Sequence, residues 1–323
     1  MSNRRYRESK TVKHLSVLQS IALASLFAIA VGGTGCSEVM LTNNDGCPND
    51  CEEKVQIIGC DDRVVQPDSA DSMDDEPWNF IGRFDGSGCS GTLIADRFVL
   101  TAAHCTLTLS DASQVGFALA QEAQAFIRRP YGTNGVRRIF FPSAFAATDS
   151  EADRAYDYAV AELFEPIAGG TPAPWGYVEF DTLRTKPAFT AGYPGTQPDG
   201  GVLGRPWFTT GEYYNSQPFG WIDGGEAGLL HSTLDGTGGQ SGSAVYSFLT
   251  PSQHSGGGII RKVTGVLIGS PVEACEEGQH WVAYLTPGAV GHINNVLNSI
   301  PDNFWDVLNL AQSPTAGPGE TWP

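Results

Sequence analysis

Three short stretches of the 323-residue chain hold residue types suited to nucleophilic chemistry. His104 lies at the end of "CSGTLIADRFVLTAAHC" (residues 89–105), Asp157 lies in "AYDYAVAEL", and Ser241 lies in "TGGQSGSAV". A serine hydroxyl is a poor nucleophile at neutral pH. An imidazole within reach can take its proton, and a carboxylate behind the imidazole fixes the tautomer and stabilises the imidazolium. A Gly/Ser run alone reads as a surface turn, because such runs are common. Here all three residues share a setting: each stands at the edge of an apolar, strand-like run, in the order His, Asp, Ser. Asp153 competes with Asp157, but Asp157 alone leads the strand-like "DYAVAEL". His231 and His280 could be surface or cleft residues and are assigned no role.

The elements that must position these residues read as strands. "FIGRF", "GTLIA", "RFVLTAA", "RRIFFP", "DYAVAEL", "AFTAGYP", "GLLHSTL", "SAVYSFL", "GIIRKVTGVLIG" and "HWVAYLT" are short apolar or alternating runs, mostly bounded by Gly, Pro, Asp or Asn. Glycine numbers 39, where average usage would give about 23. The pattern predicts an all-β fold, sandwich or barrel. "EPIAGGTPAPWG" (165–176) is the best candidate for a connection between two halves. One late helix is expected in "GAVGHINNVLNSI", where Val290, Ile293, Val296, Leu297 and Ile300 fall near helical spacing. The Pro/Gly-rich end, "QSPTAGPGETWP", reads as disordered.

The net charge of −17 argues against nucleic acid as a partner, since phosphate binding needs a basic face. The acidic cluster Asp71, Asp74, Asp75 and Glu76 reads as solvated surface rather than a metal site. At the start, Arg4, Arg5, Arg7, Lys10 and Lys13 precede an apolar run from Leu15 to Val31, followed by "GGTGC" ending at Cys36. That is the layout of a secretory signal, and the run is short for a membrane span of about 20 residues. The small residues before Cys36 resemble a bacterial lipoprotein signal. That resemblance implies lipidation of Cys36 and an outer-membrane or cell-surface location; ordinary cleavage and release, secreted or periplasmic, is the alternative. Gly33 stands where such signals prefer Leu. Export implies an oxidising compartment. Of seven cysteines, setting Cys36 aside leaves Cys47, Cys51, Cys60, Cys89, Cys105 and Cys275, an even number that fits disulfides. "CPNDC" has no partner pair at zinc spacing, and no metal is expected.

With these residues in view, "GTLIADRFVLTAAHC", "DYAV" and "GGQSGSA" resemble the histidine, aspartate and serine motifs of trypsin-like serine proteases. "IIGCDDRVV", "YDYAVAEL", "AGYPG" and "GGQSGSA" resemble more narrowly the bacterial V8-like, glutamyl-endopeptidase-like branch, from about Ile57 to about Ile300. The resemblance implies two six-stranded antiparallel β-barrels with the triad in the cleft between them, and the C-terminal helix expected from spacing follows them. It implies His104 as general base and then acid, Asp157 as the orienting acid, Ser241 as nucleophile, and the backbone N–H groups of Gly239 and Ser241 as oxyanion donors. It also implies a Cys89–Cys105 disulfide bracing the loop of His104. Cys47, Cys51, Cys60 and Cys275 could pair in three ways, with Cys47–Cys51 and Cys60–Cys275 one possible set.

By the same resemblance, the specificity pocket draws on Asp235, Gly236, Leu267, Gly269 and Ser270. Glutamate-specific relatives carry a histidine where this chain has Leu267, which argues against glutamate. Asp235 stands six before Ser241, where relatives that cut after Arg or Lys carry an acid, although members of the V8-like branch can have Asp there without that preference. The residue preferred at the cut is left open. Gln240 replaces the Asp of digestive proteases, so activation should not depend on an ion pair between a new N-terminus and that position. A cut after Lys54, freeing Val55, is the one candidate maturation site.

The expected organisation is a signal (1–35), a linker or pro-segment (36–56), a first barrel (57–168), a second barrel with its helix (169–300) and a tail (301–323). The expected function is an exported serine endopeptidase acting on proteins or peptides through an acyl-enzyme, monomeric, without cofactor, and touching a membrane only through lipid on Cys36. The alternative is a catalytically silent binding protein on the same fold. An α/β-hydrolase is disfavoured: Ser243 breaks the G-x-S-x-G elbow, and no histidine follows Asp302 or Asp306.

Overall fold

Strands form where β-branched and aromatic residues alternate between turns, and here they close on themselves twice. The computed structural model describes residues 63–65, 76–107, 115–123, 127–146, 148, 150–195, 205–219, 227–254, 257–269, 280–310 and 321–322, all within one unit, Thr42–Pro323. After the two-residue β1 (Val64–Val65) come β2 (Ile81–Phe84), β3 (Ser90–Ala95), β4 (Phe98–Thr101), β5 (Gly116–Leu119), β6 (Glu122–Ala123), β7 (Ile127–Arg128), β8 (Asn134–Pro142) and β9 (Ala159–Leu163). The second half lays down β10 (Pro187–Gly192), β11 (Trp207–Phe219), β12 (Leu229–Ser232), β13 (Ala244–Leu249), β14 (Ile260–Gly269) and β15 (His280–Tyr284). The helix Pro287–Leu297 follows, then β16 (Trp305–Asn309) and β17 (Thr321–Trp322).

Strands β2, β3, β4, β9, β8 and β5 pair in that order into an antiparallel sheet that closes where β5 meets β2. Strands β11, β10, β13, β14, β15 and β12 form a second antiparallel sheet, closed by β11 against β12. The result is two six-stranded barrels. Closure removes the exposed edges that open sheets must protect.

Period-two alternation explains how the barrels pack. In the second barrel Val245, Leu230, Leu267 and Val282 belong to one buried cluster, while their neighbours Ala244, Leu229, Val266 and Ala283 belong to another that is continuous with the first barrel's core. Both faces of these strands are thus covered by apolar residues rather than water. Phe80 of the first half meets Tyr246 of the second edge to face at 6.4 Å.

The connection begins against the first barrel, with Ile167 N–H donating to the Asp96 carbonyl and Ala173 N–H to that of Leu93, and then bridges β14 through Trp175 and Val263. The ends depart from the expected boundaries. β1, placed by sequence in the first barrel, pairs with β11 of the second. β16, placed in the tail, pairs along β8 of the first barrel from Trp305 to Asn309, and β17 pairs with β7. Trp305 is buried and meets Tyr158 edge to face at 5.9 Å, which anchors the returning chain. The helix buries Ala289, Ile293 and Val296, but Ile300, expected on that face, is 65% exposed. The helix stops at Asn298 and Ser299 takes φ 61°, which turns Ile300 away from the core.

Candidate active site

His104 and Asp157 meet because their strands pair. β4 ends at Thr101 opposite Ala159, the first residue of β9, so a residue just past the one and a residue just before the other share an end of the sheet. His104 opens the short helix His104–Leu107. Its Nδ1 lies 2.8 Å from Asp157 Oδ2, and its backbone N–H donates to Asp157 Oδ1 at 2.8 Å. Asp157 has no exposed side-chain surface, whereas that of His104 is 26% exposed. A buried carboxylate held at both oxygens by one residue can set that residue's ring orientation. It leaves Nε2 free of this bond, as a general base requires. Arg154 Nη1 also donates to Asp157 Oδ2, at 3.2 Å.

The loop before β13 carries Ser241 and is bound to the first barrel. Ser90, the first residue of β3, donates its N–H to the Ser241 carbonyl at 2.9 Å and its hydroxyl to the Gly239 carbonyl at 2.9 Å. The same hydroxyl accepts the Tyr193 N–H at 2.8 Å. Gly242 has φ 87°, and a Cβ there would lie 2.1 Å from the Ser90 carbonyl oxygen. Only glycine permits that approach. The Sγ of Cys105, the residue after His104, lies 3.9 Å from the Ser241 carbonyl oxygen. Histidine, aspartate and serine loops are therefore gathered at one seam between the barrels.

Around Ser241 the backbone forms a tight turn whose carbonyls are bound by neighbouring segments. The Gly238 carbonyl accepts from Gly195 and the Gly239 carbonyl from Ser90, while the N–H groups of Gly239 and Ser241 donate to no described residue. Gly239 has φ 94° and sits against the backbone of Tyr193 and Gly195, where a Cβ would come within 2.6 Å of a carbonyl oxygen. Two N–H groups with no acceptor among the described residues can serve a developing oxyanion. Gln240 is fully buried, and its Oε1 accepts the Thr237 N–H at 2.9 Å. Arg63 donates to Thr237 Oγ1 at 3.1 Å and reaches Gln240 Oε1 at 3.5 Å, so the amide helps to hold the turn internally.

Cys89 and Cys105 are joined by a disulfide with Cα atoms 6.2 Å apart. Together with His104 they gather within 4.8 Å, but both sulfurs are engaged in the bridge rather than available to a metal. Of the residues expected to line the specificity pocket, Asp235 is 2% exposed and Leu267 is buried beside the serine loop, exchanging backbone bonds with Gly242 and Ser243. A Cβ at Gly236 would stand 3.2 Å from His280 Cε1 and 3.3 Å from Leu267 Cδ2, so the His280 ring lies against this wall. Gly269 has φ 120° and open space around its Cα. Ser270 lies outside the described residues, as do Cys36, Cys47, Cys51, Cys60, Cys275, the Lys54–Val55 bond and most of the acidic cluster. Ser90, Arg63 and Arg154 carry no signal in the sequence, and His280 had no role assigned there, because their positions depend on contacts between remote segments.

Two closed barrels with these loops at their seam define the chymotrypsin-like architecture. The chain belongs to the trypsin-like peptidase family, whose domain model matches residues 89–250. It is 30% identical over 193 residues to a glutamyl endopeptidase of Bacillus licheniformis, taking in 59% of this chain and 54% of that protein. It is 34% identical over 92 residues to transmembrane protease serine 11E of Mus musculus, 28% of this chain and 20% of that protein. The chain thus spans about half or less of the length of these relatives. A solved structure of a Glu endopeptidase in complex with MPD superposes with a TM-score of 0.51 at 22% identity, covering 74% of this chain and 98% of that one, which speaks to fold.

Proposed function

We propose that the protein is an exported serine endopeptidase in which Ser241, His104 and Asp157 form the triad. The observation that carries this reading is the pair of hydrogen bonds from His104 to the buried Asp157 carboxylate, through ring and backbone. Ser241 Oγ attacks the scissile carbonyl while His104 accepts its proton. Asp157 holds the tautomer and stabilises the imidazolium without itself taking the proton. Charge developing on the carbonyl oxygen is met by the N–H groups of Gly239 and Ser241, a stabilisation of about 3 kcal/mol per donor. His104 then protonates the leaving amine, and water hydrolyses the acyl-enzyme by the reverse proton path. The basic and apolar start of the chain supports export, and Cys36 is the proposed lipid anchor.

Substrates are proteins or peptides, with the acyl-side residue received between Asp235, Gly236, Leu267 and Gly269. The test is digestion of a diverse peptide mixture by the protein and by its Ser241→Ala variant, with new termini read by mass spectrometry. New termini made only by the unmodified protein are expected, and the residue before them reports whether the pocket takes acidic, basic or apolar side chains. Identical peptide patterns from both proteins would contradict the proposal and favour a binding module.

A further inference from the structure

The oxygen of Asp157 that faces His104 has a second cationic neighbour. Arg154 closes the short helix Glu151–Arg154, and its Nη1 donates to Asp157 Oδ2 at 3.2 Å, the same oxygen that lies 2.8 Å from His104 Nδ1. The Arg154 side chain is 18% exposed, and its guanidinium carbon lies 5.7 Å from the ring centre of Trp281. Trp281 is on β15, paired with Gly269 at the end of β14. Arg154 therefore joins the carboxylate of the first barrel to an aromatic wall of the second, beside the strand that holds the serine loop. A planar guanidinium can donate in its plane and stack on its face at once, which an ammonium cannot do as well.

Resting on the triad proposed above, we propose that Arg154 is a positioning residue that fixes Asp157 against His104 and shifts the acid limb of the reaction to lower pH. When His104 takes the serine proton it becomes a second cation on an oxygen that already serves one. The guanidinium thus opposes protonation of the imidazole, while the carboxylate favours it. Both act at short range on a carboxylate with no exposed surface, where charges are poorly screened. Two other acids and one histidine stand nearby. Glu151, on the same helix, has Oε1 3.6 Å from Nε2 of His231 on β12, and Asp153 accepts from Ser150 Oγ at 2.8 Å.

The test needs no knowledge of the natural substrate. The second-order rate of inactivation by a fluorophosphonate probe is measured across roughly pH 4 to 9, where imidazole titrates. The proteins are the unmodified chain, Arg154→Met, which keeps bulk without charge, and Arg154→Lys, which keeps charge. Thermal melts at each pH confirm that the folded protein is being assayed. The midpoint of the rate profile is expected to move upward in Arg154→Met by about half to one pH unit, a three- to tenfold change in the proton dissociation constant. In Arg154→Lys, which keeps the charge but loses the planar stack, the midpoint should move upward by clearly less than in Arg154→Met. An Arg154→Met profile slowed equally at every pH, with its midpoint in place, would overturn the proposal and leave a structural contact. So would a lysine variant that shifts as far as the methionine one. Absence of labelling of the unmodified protein at any pH is a separate outcome, since it removes the triad itself and this proposal with it.

Discussion

Ser90 donates its backbone N–H to the carbonyl of Ser241 at 2.9 Å, so the first residue of a strand in one barrel holds the candidate nucleophile of the other. The Ser90 hydroxyl adds a bond to the Gly239 carbonyl at 2.9 Å and accepts the Tyr193 N–H at 2.8 Å. Ser90 is fully buried. Ser90→Ala leaves a buried N–H and a part-buried carbonyl without their partner, at a cost of about 1–3 kcal/mol. Urea unfolding should show that loss. Peptide hydrolysis should show kcat lowered by about tenfold, less than the ~10²–10³ of deleting an oxyanion donor outright, with KM little changed.

Gly242 tests the same seam sterically. Its φ is 87°, and an added Cβ would stand only 2.1 Å from the Ser90 carbonyl oxygen, which leaves no room for a side chain. Gly242→Ala should cost more than about 3 kcal/mol or abolish soluble protein. At Gly238 a Cβ would meet no atom of the described residues within 4 Å, so Gly238→Ala should melt close to the unmodified protein. Equal melting temperatures for the two variants would contradict this picture of the seam.

The Cys89–Cys105 bridge closes a separation of 16 residues around β3, β4 and His104. Constraint of an unfolded loop of that length is worth about 3 kcal/mol. The double variant Cys89→Ser, Cys105→Ser should lose that amount in chemical unfolding, and reduction of the unmodified protein should do the same. Activity should fall with it, because His104 adjoins Cys105 and the Cys105 sulfur packs on the Ser241 carbonyl.

Away from the site, Asp302 ties the C-terminal helix to the strand returning to the first barrel. Its carboxylate accepts from His292 at 2.8 Å, Asn295 at 2.9 Å and the Phe304 N–H at 3.1 Å. Burial opposes the charge, but the donors, His292 foremost, outweigh it and hold the carboxyl below its usual range. A depressed folded value means stability that is present above the unfolded carboxyl's range, about 4, and lost as pH falls through the folded value. Asp302→Asn should therefore melt lower than the unmodified protein at neutral pH, with the gap closing in strong acid. A gap that is constant with pH would contradict the electrostatic part of this account.

What the sequence made legible is local. "TAAHC", "DYAV" and "GGQSGSA" each place their key residue at a strand end, so neighbouring apolar residues announced them. β5 and β11 were not legible: "GFAL" is too short to show alternation, and "WFTTGEYYNSQPF" mixes polar and aromatic residues without clear period two. β16 pairs with β8, a strand from the first half of the chain, and no local pattern reports that. Ser90, Arg63 and Arg154 escaped for the same reason. Ser90 sits 149 residues from Gly239 and Arg63 174 from Thr237, and a serine or arginine in isolation says nothing about such partners. Arg154 is only three residues from Asp157, but its stacking partner Trp281 lies on the other barrel.

The most direct measurement is covalent. The protein is treated with diisopropyl fluorophosphate near neutral pH, digested and sequenced by mass spectrometry, beside its His104→Ala variant. The account predicts one phosphoryl adduct, on Ser241, formed rapidly in the unmodified protein and at least about a hundredfold more slowly without the imidazole base. An adduct on another residue, or labelling of Ser241 as fast without His104 as with it, would contradict the triad.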